Sequence, residues 1–216
     1  MDNYKLTFMD LQGIAEPIRL IFKYSSVPFE DYRIPVDDWL DHKKSYKWER
    51  VPLLEWNGKS LSQSVAISRF LGRKFGLIPD DQWEAAKCDE IVGALYDLRN
   101  LMEPMFYAKY NGDNETSEKC RGELLSADKV PLILTNLNDL LKEIKTESGN
   151  GGDLIFGGSR PYWADFWLAH FTHRFVEFLE EPSLLENCEL LKLQKQAVYN
   201  LEKISEYISQ RASTFI

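Results

Sequence analysis

The chain of 216 residues is long enough to bury a core without disulfide or metal staples, and its 44% hydrophobic and 13% aromatic content excludes a disordered or low-complexity chain. Its net charge of -8 is unevenly spread: residues 1–78 carry 12 Lys and Arg against 10 Asp and Glu, so the acidity lies in the remainder. Such a field repels phosphate backbones, which argues against nucleic-acid binding, while the near-neutral N-terminal part can accept a small anion.

Cys88, Cys120 and Cys188 are odd in number and widely spaced, without a C-x-x-C or a histidine cluster, so they read as reduced, mostly buried thiols and not as disulfides or zinc ligands. The opening MDNYKLTF lacks the basic-then-apolar pattern of a signal peptide, and no apolar run reaches membrane length, so the expectation is a cytoplasmic protein. In that setting Asn114-Glu115-Thr116 is a chance sequon.

In chain order, residues 4–8 form a β-type run. Residues 15–24 place Ile18, Ile21 and Phe22 at helical spacing with Pro17 in the first turn. With a second strand at 29–33, this opening is a βαβ unit, whose parallel strands need a crossover helix. Residues 51–56 and 59–61 flank Asn57-Gly58, the turn pair of a tight hairpin. After Ser64, the residues Val65, Ile67, Phe70 and Leu71 recur at helical spacing up to Gly76. Gly76 to Gln82, with Pro79 and two aspartates, is a natural linker. Beyond it the pattern predicts helices only, over about 83–110 with a kink at Pro104, 117–145, 162–178 and 190–210. The glycine-rich stretch 149–158 is not followed by Lys-Ser/Thr and reads as a connector. Asp165 is a candidate for a helix-capping box, with either Tyr162 or Ser159 as the cap.

Two features point to a site. Val51-Pro52 opens the third strand, either as an ordinary trans proline or as a cis bond that turns the N–H and C=O of Val51 outward to pair with an extended peptide. Ser64 opens a helix, either as a simple N-cap or as a ligand group where free N–H groups and the helix dipole favour a carboxylate.

Together these elements follow the thioredoxin-like plan. The segments Tyr4-Lys5-Leu6-Thr7, Ala15-Glu16-Pro17-Ile18-Arg19, Glu30-Asp31-Tyr32-Arg33, Trp39, Val51-Pro52-Leu53-Leu54-Glu55, Gln63-Ser64-Val65-Ala66-Ile67 and Phe75-Gly76-Leu77 resemble sigma-class glutathione transferases of the invertebrate type, related to the haematopoietic prostaglandin D synthases. The resemblance implies a thioredoxin-like glutathione-binding domain, βαβαββα, over residues 1–78. A linker at 79–82 follows, and then an all-helical domain over 83–216. It also implies a cytoplasmic detoxification enzyme that is a homodimer, takes glutathione as cosubstrate without a metal, and conjugates or isomerises small apolar electrophiles.

Residue by residue, Trp39 and Lys43 would hold the glycyl end of glutathione, with Arg50 nearby. Val51 and Pro52 would meet its cysteinyl part, Gln63 and Ser64 its γ-glutamyl carboxylate, and Asp97 of the partner subunit its ammonium. Taken alone, Trp39 reads equally as a packing aromatic, Lys43 as part of a solvated run with Lys44 and Lys47, and Asp97 as a helix-surface neighbour of Arg99. Met9, Ile14, Tyr96 and Arg99 are candidates for the electrophile pocket, and Trp48 for a dimer contact. The departure is Phe8, which stands where the family carries the tyrosine that activates the glutathione thiol. Ile14 likewise stands where some members have an arginine. Asp10 and Gln12 are the loop residues expected to be able to approach the sulfur. Alternatives to an enzyme are a non-catalytic glutathione and ligand carrier, or a crystallin-like structural protein.

Overall fold

The computed structural model describes residues 2–212. Its chain divides into two compact units, one of residues 1–78 together with 199–216, the other Pro79–Val198.

The first unit is built on a four-stranded sheet in the order β2-β1-β3-β4. β1 (Tyr4–Met9) runs parallel to β2 (Glu30–Ile34) and antiparallel to β3 (Leu53–Trp56), which forms a hairpin with β4 (Lys59–Ser62) through the predicted Asn57-Gly58 turn. Alternation along β1 sends Tyr4, Leu6 and Phe8 to one face, where each is buried. Helices α1 (Glu16–Tyr24) and α3 (Ser64–Lys74) pack against each other and bring Ile18, Ile21, Phe22, Ile67 and Leu71 into the core of this unit. The Tyr4 and Phe22 rings meet edge to face at 5.3 Å, and Phe22 stacks on Phe29 at 4.3 Å. Between β2 and β3 lies α2 (Trp39–His42), a short helix with single 3-10 turns on either side. The terminal helix α9 (Glu202–Gln210) packs on α1 and so belongs to this unit.

The second unit contains α4 (Gln82–Tyr110), α5 (Asn114–Ser126), α6 (Lys129–Ser148), α7 (Trp163–Leu179) and α8 (Glu189–Tyr199), the last reaching its boundary. Asp81 caps α4 by accepting from the N–H groups of Trp83 and Glu84, at 2.9 and 3.0 Å, and α4 continues as one helix past Pro104. The predicted single helix over 117–145 is two. Pro131 has no N–H and is best placed in a first turn, where α6 puts it, and Asp128 takes a left-handed φ of 52° at the break. The predicted helix over 190–210 also divides, at Leu201, which is extended. No proline marks that break; α9 turns its buried Ile204 inward in the first unit, so tertiary packing decides it.

α7 is buried on nearly every side, with Trp167, Phe171 and Phe175 in successive ring contacts at 5.2 and 5.1 Å. Its cap is Tyr162, not Ser159. Asp165, fully buried, accepts from the N–H of Tyr162 at 2.8 Å, from the N–H of Ile155 at 2.9 Å and from Nε2 of Gln194 at 3.0 Å. The glycine-rich connector is thereby tied to α7. Within it Gly157 has φ 68°, and a Cβ there would run into the backbone of Asn150. No helix among the described residues is long and apolar enough to cross a membrane.

Two outcomes follow. Asp165→Ala removes the acceptor of the Ile155 and Tyr162 N–H groups, while Gln194 Nε2 keeps the Asp165 carbonyl at 3.1 Å, and is expected to lower unfolding stability by about 2–3 kcal/mol, read by urea unfolding. Burial pushes the thiols of Cys88 and Cys188 upward, whereas Cys120 is half-buried. A chromogenic disulfide reagent should therefore modify Cys120 fast in the native protein, and the other two only after unfolding.

Candidate functional site

β1 lies between β2 and β3, so the residue near its end is fixed from both edges. Phe8 pairs with Arg33 of β2. At one end of the sheet Thr7 pairs with Leu53 and Leu53 with Ser62, so Phe8 and Gln63 each directly follow, and Pro52 directly precedes, a paired residue there. The Val51–Pro52 bond is cis, and both residues are buried.

Ser64 is the first helical residue of α3, 1% exposed, and the cap position falls on Gln63 instead. Gln63 is exposed, adopts φ 76° and ψ 112°, and makes no capping hydrogen bond. The first helical bond runs from Ile67 N–H to Gln63 C=O at 2.9 Å. The N–H groups of Val65 and Ala66 therefore have no helical carbonyl to bond, and the positive end of the helix dipole lies beside Gln63. A non-glycine residue with a strongly positive φ at such a place costs about 1–3 kcal/mol, a cost seen most often where a side chain is held for function.

Trp39 and Lys43 stand four residues apart on one helical face, α2 and the turn after it. The Trp39 ring lies 5.8 Å from that of Tyr46, and the Lys43 ammonium is 3.7 Å from the Glu49 carboxylate, a surface pair worth little in itself. Arg50 is exposed. In the second unit Asp97 is exposed on α4. Arg99 turns away from it along the helix, to Glu103 at 3.0 Å and Asn100 at 3.1 Å. Tyr96 is half-buried with its ring 5.7 Å from Trp167. Met9 and Ile14, both half-buried, belong to the first unit, so the four pocket candidates divide two and two.

The surroundings of Phe8 bear on chemistry. Its ring is 3% exposed, and the loop after β1 folds back on it. A Cβ on Gly13 would stand 3.0 Å from Phe8 Cε1 and 2.7 Å from Leu11 Cδ1, and Gly13 has φ 44°, so glycine alone suits this approach. The Arg19 guanidinium lies 5.9 Å from the ring centroid. It is fully buried and already neutralised, with Nε 3.1 Å from the Asp31 carboxylate and Nη1 3.2 Å from that of Glu16. Two anions that close cancel most of the field one cation would exert on a thiolate. Asp10 and Gln12 are engaged elsewhere: Asp10 is exposed and paired with Arg33 at 3.1 Å, and buried Gln12 donates to the Ala212 carbonyl at 3.4 Å. Thr7 faces the other side of the sheet, where it lines a cleft of about 690 Å³ with Lys5, Tyr32, Tyr46 and Trp48.

The family model described as "Glutathione S-transferase, C-terminal domain" matches residues 99–211. A glutathione S-transferase of Anopheles gambiae is 32% identical over 99% of both chains. The chain belongs to the glutathione S-transferase family. Human hematopoietic prostaglandin D synthase is 31% identical, again over 99% of each. The crystal structure of the glutathione S-transferase from Ascaris lumbricoides superposes with a TM-score of 0.84, at 31% identity over 98% of each chain. Glutathione S-transferases take glutathione as cosubstrate, and the thioredoxin-like sheet with its helical second unit is their fold.

What sequence reasoning missed in this family member is the buried pair Glu16 and Arg19, together with Arg211, whose Nη1 lies 2.7 Å from Glu16 Oε1. The available signal was a Glu and an Arg three apart in a helix whose other positions are largely apolar.

The backbone at Gln63 sets an outcome for this site. Gln63→Gly should be more stable than Gln63→Ala by about 1 kcal/mol in thermal unfolding, the reverse of the usual order.

Proposed function

We infer that this chain is a sigma-type glutathione transferase, acting as a homodimer on small apolar electrophiles, with thiol activation weakened by Phe8. The observation that carries this reading is the start of α3, without a side-chain cap, at the end of the sheet where Thr7, Leu53 and Ser62 are paired, because it puts a place for a peptide-like anion at the end of β1 that carries Phe8. In this reading the first-turn N–H groups of α3, with Gln63 and Ser64, hold the γ-glutamyl carboxylate. The backbone of Val51 before Pro52 pairs with the cysteinyl part. Trp39 and Lys43 hold the glycyl carboxylate, Arg50 adds positive charge at the rim, and Asp97 of the second copy receives the ammonium. Met9, Ile14, Tyr96 and Arg99 would shape the electrophile pocket, and Trp48 would meet the second copy. Bound glutathione supplies the sulfur nucleophile.

The chain's own contribution at that sulfur is reduced. A hydrogen bond to a charged group is worth about 1.5–3 kcal/mol, equivalent to roughly one to two pKa units. Without a hydroxyl at position 8 the thiol stays near its free value of about 8.5, and only a few per cent is ionised at neutral pH. A more basic thiolate is intrinsically more nucleophilic, with a Brønsted slope of about 0.4–0.5, so part of the deficit is offset. The loss of orientation is not.

The neutralised Arg19 and the engagement of Asp10 and Gln12 elsewhere favour a second reading, a glutathione and ligand carrier that does not ionise the thiol. One titration separates the two: the ultraviolet absorbance of bound thiolate against pH, with Phe8→Tyr in parallel. The transferase reading expects Phe8→Tyr to lower the bound thiol pKa by about one unit or more and to raise kcat/KM toward an aryl halide about tenfold. An unshifted thiol in both proteins, with glutathione still bound, would establish the carrier. Failure to bind glutathione would remove both.

A further inference from the structure

We propose that Arg211 and Glu16 are positioning residues for the loop beside the glutathione sulfur, so that the C-terminal segment sets the geometry of the site from behind. The proposal rests on the glutathione transferase reading of the site.

The loop in question runs from Met9 to Gly13. Its backbone is held in part by its own bonds: Asp10 N–H reaches Ile34 C=O at 2.7 Å, Leu11 N–H reaches Met9 C=O at 2.7 Å, and Gly13 C=O accepts from Glu16 N–H. The carbonyls of Leu11 and Gln12 both point to one donor, Arg19 Nη1, at 2.9 and 3.2 Å. That guanidinium is fixed in turn, by Asp31 on Nε and by Glu16 Oε2 on Nη1. Glu16 uses its other oxygen, Oε1, to accept from Arg211 Nη1 at 2.7 Å. Glu16 and Arg19 have no exposed side-chain surface, and the Arg211 side chain retains 12%. Gln12 makes a second link, from Nε2 to the carbonyl of Ala212.

A chain of charge-assisted bonds therefore runs from the C-terminal segment through Glu16 and Arg19 to two loop carbonyls. The loop approaches Phe8 directly, since Gly13 lies against its ring. A carboxylate shared by two guanidinium groups has a defined direction. With Arg211 removed, Glu16 Oε1 is left buried without its cation, and the carboxylate can rotate toward Arg19. Arg19 then shifts against the Leu11 and Gln12 carbonyls, and the loop moves on residue 8. The groups assigned to the glutathione carboxylates, Trp39, Lys43, Gln63 and Ser64, lie on other segments. The effect should therefore fall on turnover and not on binding.

The test compares Arg211→Gln with Arg211→Lys in the full-length protein. The expected result for Arg211→Gln is amide hydrogen exchange in residues 9–14 faster by about tenfold, with exchange at Leu6 and Leu54 unchanged. It also includes kcat for an aryl halide lower by about tenfold with KM for glutathione within about twofold. Arg211→Lys, which keeps a cation, should recover most of both. Unaltered exchange in the loop overturns the proposal, as does faster exchange with unchanged kcat, which would make Arg211 merely structural. A uniform fall in stability that Arg211→Lys does not rescue also overturns it. If the unmodified protein binds no glutathione, the functional reading fails on that control alone, and the exchange and rescue arms still decide whether Arg211 holds the loop.

Discussion

β1 is paired along both edges, parallel to β2 on one side and antiparallel to β3 on the other. Because side chains alternate strictly across a strand, a slip of one residue in either pairing would send Tyr4, Leu6 and Phe8 to the wrong face and lift the buried aromatic cluster out of the core. The same pairing decides what surrounds position 8. It sets Phe8 directly after the Thr7–Leu53 pair and, through β3 and β4, at the end of the sheet from which α3 starts. The requirement that the apolar face of β1 meet α1 and α3 is therefore what assembles the site. Phenylalanine and tyrosine meet the same packing demand at position 8, so the frame does not depend on which of the two stands there.

The first turns of α1 hold the least ordinary energetic feature of this unit. Glu16 and Arg19 have no exposed side-chain surface. The effective penalty for taking each ion out of water is several kcal/mol, recovered only when geometry and hydrogen bonding are good. Here each carboxylate serves two cations: Asp31 serves Arg19 and Arg33, and Glu16 serves Arg19 and Arg211. Such a cluster specifies direction in a way that an apolar contact does not. The carboxylates that hold Arg19 also cancel most of the field that a cation so near Phe8 would exert on its surroundings.

Much of this was legible in the sequence. The Asn57-Gly58 turn, the helical spacing after Ser64 and the apolar alternation of β1 are local signals, and the elements they announce lie within a few residues of where they were expected. Position 8 was visible as a departure because the flanking segments align with the family so closely. Other features were not legible for physical reasons. The break before α6 was marked by Pro131, but an apolar periodicity running through it masked the stop. The break at Leu201 carries no local signal, since it follows from where α9 packs. The cap at the head of α3 moved from Ser64 to Gln63 because a left-handed backbone there replaces side-chain capping. The cluster joining Glu16 to Arg211 spans almost the whole chain, and no pattern over a short window encodes it.

The return of α9 to the first unit has a consequence for synthesis. A ribosome delivers residues 1–78 early, yet this unit lacks α9 and the cation that meets Glu16 until all of Pro79–Val198 has emerged. At about 5–20 residues per second that delay is on the order of ten seconds. During it the unit must wait with the α9-facing side of α1 uncovered and a carboxylate short of its partner. Nascent chains of this protein should accordingly be open to chaperones at α1 until translation is almost finished, so the last segment made works as the fastener of the first domain folded.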